Sequence, residues 1–388
     1  MRRVLEESFR AAVAAADPLS ILAKHLPQGP RGRVFVAAAG KAAASMAVAV
    51  EHEWGPVEGI AITRYGHGLP TKSIRVVEAG HPVPDEAGER AAREILESAK
   101  RLGPDDLLLV LISGGGSSLL SLPAPGVSMA ELKALTGKLL KSGAEIREMN
   151  TVRKHLSAIA GGRLAAACRG KVVALIISDV VGDDPTHIAS GPCAADPTTI
   201  DDARAILARY RIDFRGPFSE SPKSVQAENK VVATALRSLE AAGEVFRRQG
   251  FRPEILGDTI TGEAREVGKQ MAERARRTKG PAALISGGEC TVTIEGEGGR
   301  GGRCAEFLLS LGIESGGIWA IAADTDGIDG SEDNAGAILT PESMKKGADG
   351  KAFLARHDSY GFFQQLGDLV VTGPTRTNVN DYRAILIL

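Results

Sequence analysis

The sequence predicts an α/β protein: two domains, built on mainly parallel sheets with helices on both faces. Three observations carry this. Short aliphatic runs recur that are apolar throughout instead of alternating, as strands buried on both faces are. Each run ends in small residues or glycine, and most lead into an Ala- or Leu-rich helical stretch. The 388 residues also exceed what one ordinary core accommodates.

MRRVLEESFRAAVAAADP opens the chain as an amphipathic helix. Glu6 and Glu7 follow the basic start too closely for a signal peptide. VFVAAAG, Val34 to Gly40, is a strand leading into the helix KAAASMAVAVEHEW. DEAGERAAREILESAKRL is a helix, and LLLVLI is a strand that stops at SGGGSSLL. MAELKALTGKLLKSG is helical, and KVVALIISD runs into the loop VVGDDPTHIASGP. The polar stretch from Arg215 to Lys230 marks the boundary, giving expected domains 1–228 and 229–388, with the strand-like VVATAL opening the second. AALISGGE, TVTIEG, IWAIAADTDGIDG and DLVVTGPTRTNVND supply the remaining strands and their loops.

Composition narrows the function. Hydrophobic residues make up 43% and charged residues 24%, with a formal net charge of -1. A nucleic-acid or membrane surface held by bulk charge is therefore not expected, and no apolar run approaches the ~18 residues of a membrane span. Cys168, Cys193, Cys290 and Cys304 form no CxxC pair, which implies reduced thiols, no structural zinc and a cytoplasmic setting.

The loops listed above all fall where strands end, and in such sheets ligands bind beyond the carboxyl ends of strands. Gly114, Gly115 and Gly116 after Ser113 let an anion approach backbone N–H groups, and Ser117 and Ser118 add hydroxyls. A tight turn without ligand is the competing reading. The pattern G-x-x-x-x-G-K-[ST] is absent. Lys41, directly after Gly40, opposes the helix dipole unless an anion binds beside it. Five of the seven residues from Gly296 to Gly302 are glycine, with Arg300 and Arg303 embedded, and Arg suits phosphate or carboxylate. The acids Asp179, Asp183 and Asp184, and Asp324, Asp326 and Asp329, suggest Mg²⁺ binding or a base for a hydroxyl group. An EF-hand is rejected, since its spacing and final Glu are missing. His81 and His155 read as substrate contacts or as satisfied structural histidines.

Eight motifs in order, AAGKAAASMA, GHPVPDEAG, LISGGGSSLL, REMNTVRKHLSAIAGGRLA, ISDVVGDDPTHIASGP, SGGECTVTIEGEGGRGGR, DTDGIDG and TGPTRTNVNDYRAILI, give the whole chain a resemblance to the type II glycerate kinases that carry a C-terminal MOFRL domain. The resemblance implies a larger Rossmann-like N-terminal domain, a smaller α/β domain and an active site in the cleft between them. It implies ATP-dependent phosphorylation of D-glycerate, usually at the 2-hydroxyl, with Mg²⁺ or another divalent metal. The family's key lysine and arginine fall on Lys41 and Arg303. These two would stabilise the transferring phosphoryl group or hold the carboxylate, and Asp179 or Asp326 would bind metal or deprotonate the hydroxyl. Gly40, Ser113 to Ser118, Arg153, Gly301, Gly302, Thr325 and Asn380 are the further candidates for contacting substrate or nucleotide. Which cradle takes ATP stays open, and a homodimer is admitted.

The sequence departs from the family where GGRNQE becomes GGRCAE. Cys304, at a helix start beside Arg303, is expected to be an accessible thiol of lowered pKa, and Cys168 a buried, inert one. Two other functions compete: an NAD(P)-dependent hydroxypyruvate reductase and a non-catalytic hydroxy-acid-binding protein. The first needs G-x-G-x-x-G, and GKAAAS at Gly40 has one glycine.

Overall fold

The aliphatic runs of the first half assemble into one six-stranded sheet, and those of the second half into another. The computed structural model describes every residue except 30, 295, 297, 347 and 348. Two of these, Glu295 and Glu297, belong to the glycine-rich stretch, whose reading is therefore followed from Gly298 onwards.

The first sheet contains β1 (Val34–Ala39), β2 (Glu58–Arg64), β3 (Arg75–Ala79), β4 (Leu107–Ile112), β5 (Lys171–Ile177) and β6 (Glu228–Ala233), in the order β3-β2-β1-β4-β5-β6. Strands β1 to β5 pair parallel. All six residues of β4 are buried, as the unbroken LLLVLI predicts. Helix Glu86–Lys100 covers the sheet with Ala91, Ala92, Ile95, Leu96 and Ala99 at helical spacing, against Phe35, Ile60, Leu108 and Val110. The strand order reverses between β1 and β4, which makes their carboxyl ends the expected ligand crevice.

The second unit holds β7 (Arg252–Ile255), β8 (Gly262–Glu263), β9 (Ala282–Ser286), β10 (Cys290–Thr291), β11 (Trp319–Asp324), β12 (Gly336–Leu339), β13 (Leu369–Val370) and β14 (Asp381–Ile387). Its main sheet runs β13-β12-β11-β14-β9-β7. This sheet is largely antiparallel, with β11 against β12 and β14, and β14 against β9, while β7 and β9 are parallel. Antiparallel neighbours need only a loop to connect them, and one joins β11 to β12 where a parallel pair would need a crossover helix. Among the described residues of the run CTVTIEG, Cys290–Thr291 pairs, with β8.

The chain divides into residues 21–232 and residues 1–20 together with 233–388. This differs from the expected division at both ends. The N-terminal helix Arg2–Ala14 buries Leu5, Phe9 and Ala12 against Leu239, Ala242, Phe246 and Tyr382 of the second unit. Tyr382 also donates its hydroxyl to Ser8 Oγ at 2.8 Å. The run VVATAL is split. Its first residues end β6, the last strand of the first sheet, and Thr234 then caps helix Ala235–Arg248 by accepting from the Arg237 N–H. The opposite face of the second sheet is covered by helices Ala264–Arg277 and Arg303–Ser315.

Candidate active site

The loops that leave β1 and β4, on either side of the order reversal, are bonded to each other. The Lys41 N–H donates to the Gly114 carbonyl at 2.8 Å, and the Ala42 N–H to Ser113 Oγ at 2.9 Å. Gly40 sits at φ 130°, where a Cβ would lie 2.1 Å from Ser113 Oγ, so the contact requires glycine. Ser113 is fully buried and accepts from Ala42. It joins the two loops, which corrects its reading as a direct contact to an anion. Lys41 is half-buried in the turn, and helix Ala43–Trp54 begins two residues later without a side-chain cap.

Gly115 packs on the His81 ring, whose Nδ1 lies 2.7 Å from Ser118 Oγ. Ser117 Oγ lies 2.9 Å from Ser190 Oγ. Arg153, near the end of helix Ile146–Lys154, donates from Nη2 to the Ser117 carbonyl at 3.4 Å. Burial pushes its pKa down, and no carboxylate pairs with it among the described residues. The structure thus brings Gly40, Lys41, the Ser113–Ser118 segment, His81 and Arg153 to one end of the parallel sheet.

The second group of candidates is organised differently. Arg303 donates to Asp381 Oδ1 at 2.7 Å, to Glu289 Oε1 at 2.7 Å and to Asp324 Oδ2 at 2.8 Å. Burial works against its charge, but Asp381, Asp324 and Glu289 more than offset this and hold the guanidinium protonated. Arg383 adds a 2.5 Å bond to Asp381 Oδ2. The carboxyl of Asp381 is raised by burial but lowered further by Arg303 and Arg383, so it stays ionised. Arg303 is therefore the centre of a buried acidic cluster as well as a cation at a helix start.

Gly301 and Gly302 before it are required by close packing. A Cβ on Gly301 would strike Ser359 Oγ, and one on Gly302 would lie 2.2 Å from Asp329 Oδ1. The first-turn amides are occupied, since Cys304 N–H and Ala305 N–H donate to Asp329 at 2.9 and 2.8 Å. Burial raises the Asp329 carboxyl to about 7 despite those two bonds. Thr325 Oγ1 donates to the Asn380 carbonyl at 2.7 Å and accepts from the Val379 N–H at 2.9 Å. Both residues are buried and join β11 to the segment before β14. Asp326 is buried and accepts from the Ile328 N–H at 2.9 Å, shaping its own turn.

The expectation for Cys304 is overturned. Its side chain is fully buried, and burial together with Asp381, Asp329 and Asp324 pushes the thiol well above its usual range against the opposing pull of Arg303. The helix end that should favour thiolate is already neutralised by Asp329. Cys304 and Ala305 fill core space beside Phe307 and Leu308. Cys168 is half-buried and its thiol is also raised by burial.

Asp179, half-buried, follows β5 by two residues in the 21–232 unit, and Asp326 lies in the other unit. Among the described residues no group of three His, Cys, Asp or Glu side chains is placed to hold a metal ion. A resident cage is therefore not what these acids build. Mg²⁺ in phosphoryl-transfer sites uses one or two carboxylates, with phosphates and water supplying its other ligands.

One buried network was not legible beforehand. Lys154 donates to Asp196 Oδ1 at 2.8 Å, and Asp196 also accepts from Thr198 Oγ1 and Ser221 Oγ, each at 2.8 Å. Burial would raise Asp196, but Lys154, Thr198 and Ser221 hold it at about 2. His155 Nε2 is 3.2 Å from Glu220 Oε1 and its Nδ1 2.9 Å from the Thr151 carbonyl, so this histidine is structural. Together these residues anchor the helix that carries Arg153.

A parallel sheet whose order reverses beside a lysine and a glycine-serine loop, combined with a second α/β unit, defines a two-domain α/β enzyme. The DUF4147 family profile, a domain of unknown function, matches residues 4–226, and the MOFRL family profile matches residues 282–381. The chain is 42% identical to a glycerate 2-kinase of Pyrococcus horikoshii, over 95% of this chain and 93% of that protein. It is 53% identical to an Agrobacterium vitis protein provisionally named a hydroxypyruvate reductase, over 100% of this chain and 94% of that one. The crystal structure of glycerate kinase from Thermotoga maritima superposes with a TM-score of 0.90 at 38% identity, covering 100% of this chain and 99% of that one. The chain belongs to the glycerate kinase family that carries a MOFRL domain.

Proposed function

We propose that this protein transfers the γ-phosphoryl group of ATP to the 2-hydroxyl of D-glycerate, giving 2-phosphoglycerate. The observation that carries the reading is the meeting of Lys41 with the Ser113–Ser118 loop at the strand-order reversal, in a chain about 40% identical to proteins named glycerate 2-kinase and D-glycerate 2-kinase. Phosphoryl transfer asks for positioned anions and neutralised charge more than for covalent help. Lys41 supplies a cation to the transferring group, Ser117 offers a hydroxyl donor beside Ser118, and Arg153 supplies a second cation. A Mg²⁺ ion arriving with ATP would be held by Asp179 or Asp326 and would neutralise phosphate charge. Arg303 keeps Asp381 ionised and fixes Asp324 and Glu289 by direct hydrogen bonds. The carboxylate of Asp179 is the group we assign to accept the proton of the substrate hydroxyl. No helix among the described residues is long and apolar enough to cross a membrane, and all four cysteines are free thiols, in keeping with work in the cytoplasm.

The test is ADP release from ATP and Mg²⁺ with and without D-glycerate, with ³¹P NMR of the product. Glycerate-dependent ADP and a phosphate on the 2-oxygen are expected. Absence of glycerate-dependent turnover sinks the reading, and a 3-phosphate product sinks only its regiochemistry. A hydroxypyruvate reductase is the second reading, favoured by the names of the relatives at 49–53% identity and by a sheet order shared with dinucleotide-binding domains. The turn after β1 has the single glycine Gly40 and carries Lys41, and β2 ends in Thr63-Arg64 with no acid for a ribose hydroxyl. Hydroxypyruvate-dependent NAD(P)H oxidation would establish it.

A further inference from the structure

A cavity of about 240 Å³ lies in the 21–232 unit, between the loop around Val83 and helix Met129–Lys141, with Arg153 in its wall. Its size is just below the ~300–1,000 Å³ of ordinary ligand pockets, enough for a base and not for a whole nucleotide. Leu132, Leu140 and Val83 make the lining apolar. Two of them, Val83 at 62% and Leu140 at 66% exposure, are large apolar side chains left open to solvent. Gly137 opens the helix side of the cavity, since nothing lies within 4 Å of where its Cβ would be. A mid-helix glycine is destabilising relative to alanine, and here it leaves bare backbone facing the space.

The charges in the wall are of one sign. Lys133 and Arg153 line the cavity, no acidic residue does, and neither cation has a carboxylate partner among the described residues. Thr136 adds little polarity, because its hydroxyl is spent on the Leu132 carbonyl at 2.8 Å. A three-carbon hydroxy acid would leave the apolar wall unused. A flat aromatic base bearing phosphates matches both halves. Arg153 also connects the cavity to the glycine-serine loop through its bond to the Ser117 carbonyl.

We propose that this cavity receives the base of the adenine nucleotide, with Arg153 and Lys133 meeting its phosphates and directing them toward Ser117 and Ser118. The assignment rests on ATP being the phosphoryl donor. It decides between the two candidate cradles, because the amides at the start of helix Arg303–Ser315 are already taken by Asp329.

Gly137→Leu fills the cavity from a position where a side chain meets open space, and leucine favours the helix. The melting temperature should not fall. The KM for ATP should rise about tenfold or more with the KM for D-glycerate within twofold, and calorimetric titration with ADP alone should weaken by the same factor. An unchanged ATP KM in a variant that still phosphorylates glycerate overturns the proposal and leaves the kinase reading standing. So does a rise in glycerate KM instead. If the wild type shows no glycerate kinase activity, the kinase reading fails and the ADP titration alone judges the cavity: binding weakened by Gly137→Leu keeps it, and binding absent or unaffected overturns it. Should Gly137→Leu not fold, Lys133→Glu on the same wall must weaken ADP binding for the proposal to survive.

Discussion

Replacing Arg303 with alanine tests the claim that this residue organises a buried acidic cluster. The substitution removes the 2.7 Å bond to Asp381 and the 2.8 Å bond to Asp324, whose side chains are 0% and 6% exposed. The bond to Glu289 is also lost, but that side chain is 54% exposed, so the pair contributes at most about 1 kcal/mol. Hydrogen bonds to charged groups are worth about 1.5–3 kcal/mol each, and stripping one partner from a buried ion pair costs about 3–5 kcal/mol. Arg383 remains beside Asp381, which places the expected loss at about 3–5 kcal/mol instead of the sum of every bond. For a unit of this size that corresponds to a fall in Tm of about 6–20 °C. The pH dependence has a definite sign. Asp381 is depressed in the wild type, so its contribution is present above the unfolded carboxyl value of about 3.9 and is lost as pH falls through its lower folded value. In Arg303→Ala the carboxyl titrates higher, so protonation relieves part of the strain, and the deficit should be smaller at pH 5 than at pH 8. Urea unfolding of both proteins at the two pH values measures it. A deficit below 1 kcal/mol at pH 8, or one unchanged at pH 5, would refute the reasoning and return Arg303 to a purely catalytic role.

Lys41→Ala should lower kcat by about 10²-fold with little change in melting, because the residue sits in a turn outside the core; turnover near the wild-type rate would exclude it from the transfer step. Lys154→Met leaves Asp196 buried without its cation and should cost about 3–5 kcal/mol at pH 7. Lys154 is part of what holds Asp196 at about 2, so in the variant that carboxyl titrates higher and the deficit should shrink as pH falls, as denaturant midpoints across the range will show. Brief iodoacetamide treatment of the folded enzyme should leave Cys304 unmodified and label Cys168 before it, with peptide mapping as the readout and early Cys304 labelling as the contrary result. EDTA should stop phosphoryl transfer and leave the circular-dichroism spectrum intact, since no described residues form a structural metal cage; a lost spectrum, or full activity in metal-free buffer, would contradict this.

Strands β1, β4 and β5 of the first sheet were legible because they are buried on both faces and therefore read as unbroken aliphatic runs, whereas β2 and β3 were not singled out and β6, more exposed, was read as opening the second domain. LLLVLI and VFVAAA needed no partner to be recognised. The second sheet was less so. Its strands look the same one by one, and their antiparallel pairing depends on neighbours distant in sequence, such as Ser286 opposite Arg383. The site followed the same division. Lys41 and Ser113 to Ser118 occupy strand ends, where local pattern and position coincide. Asp381, Arg383, Lys154 and Asp196 escaped notice because their meaning lies in what they pair with once buried. Arg383 did leave one trace, a charge inside the apolar strand DYRAILI. Cys304 misled for a related reason: a helix start invites a thiolate only while its amides are free, and the residue that occupies them, Asp329, comes 25 positions later.

Because helix Arg2–Ala14 completes a core whose other members begin at Leu239, in a unit that resumes at Ala233, the first unit is an insertion in the sequence of the second. The helix is synthesised ahead of the inserted unit and acquires its partners after it. At about 5–20 residues per second, its apolar stripe of Leu5, Phe9 and Ala12 waits on the order of 10–50 s for Phe246 and 20–75 s for Tyr382, while the inserted unit can fold in the meantime. Cutting the gene at residue 229 would therefore not yield two folding units, because the downstream piece would lack one of the two helices on that face of its sheet. A permuted chain in which residues 233–388 run through a linker directly into residues 1–20 would restore that unit as a single continuous sequence.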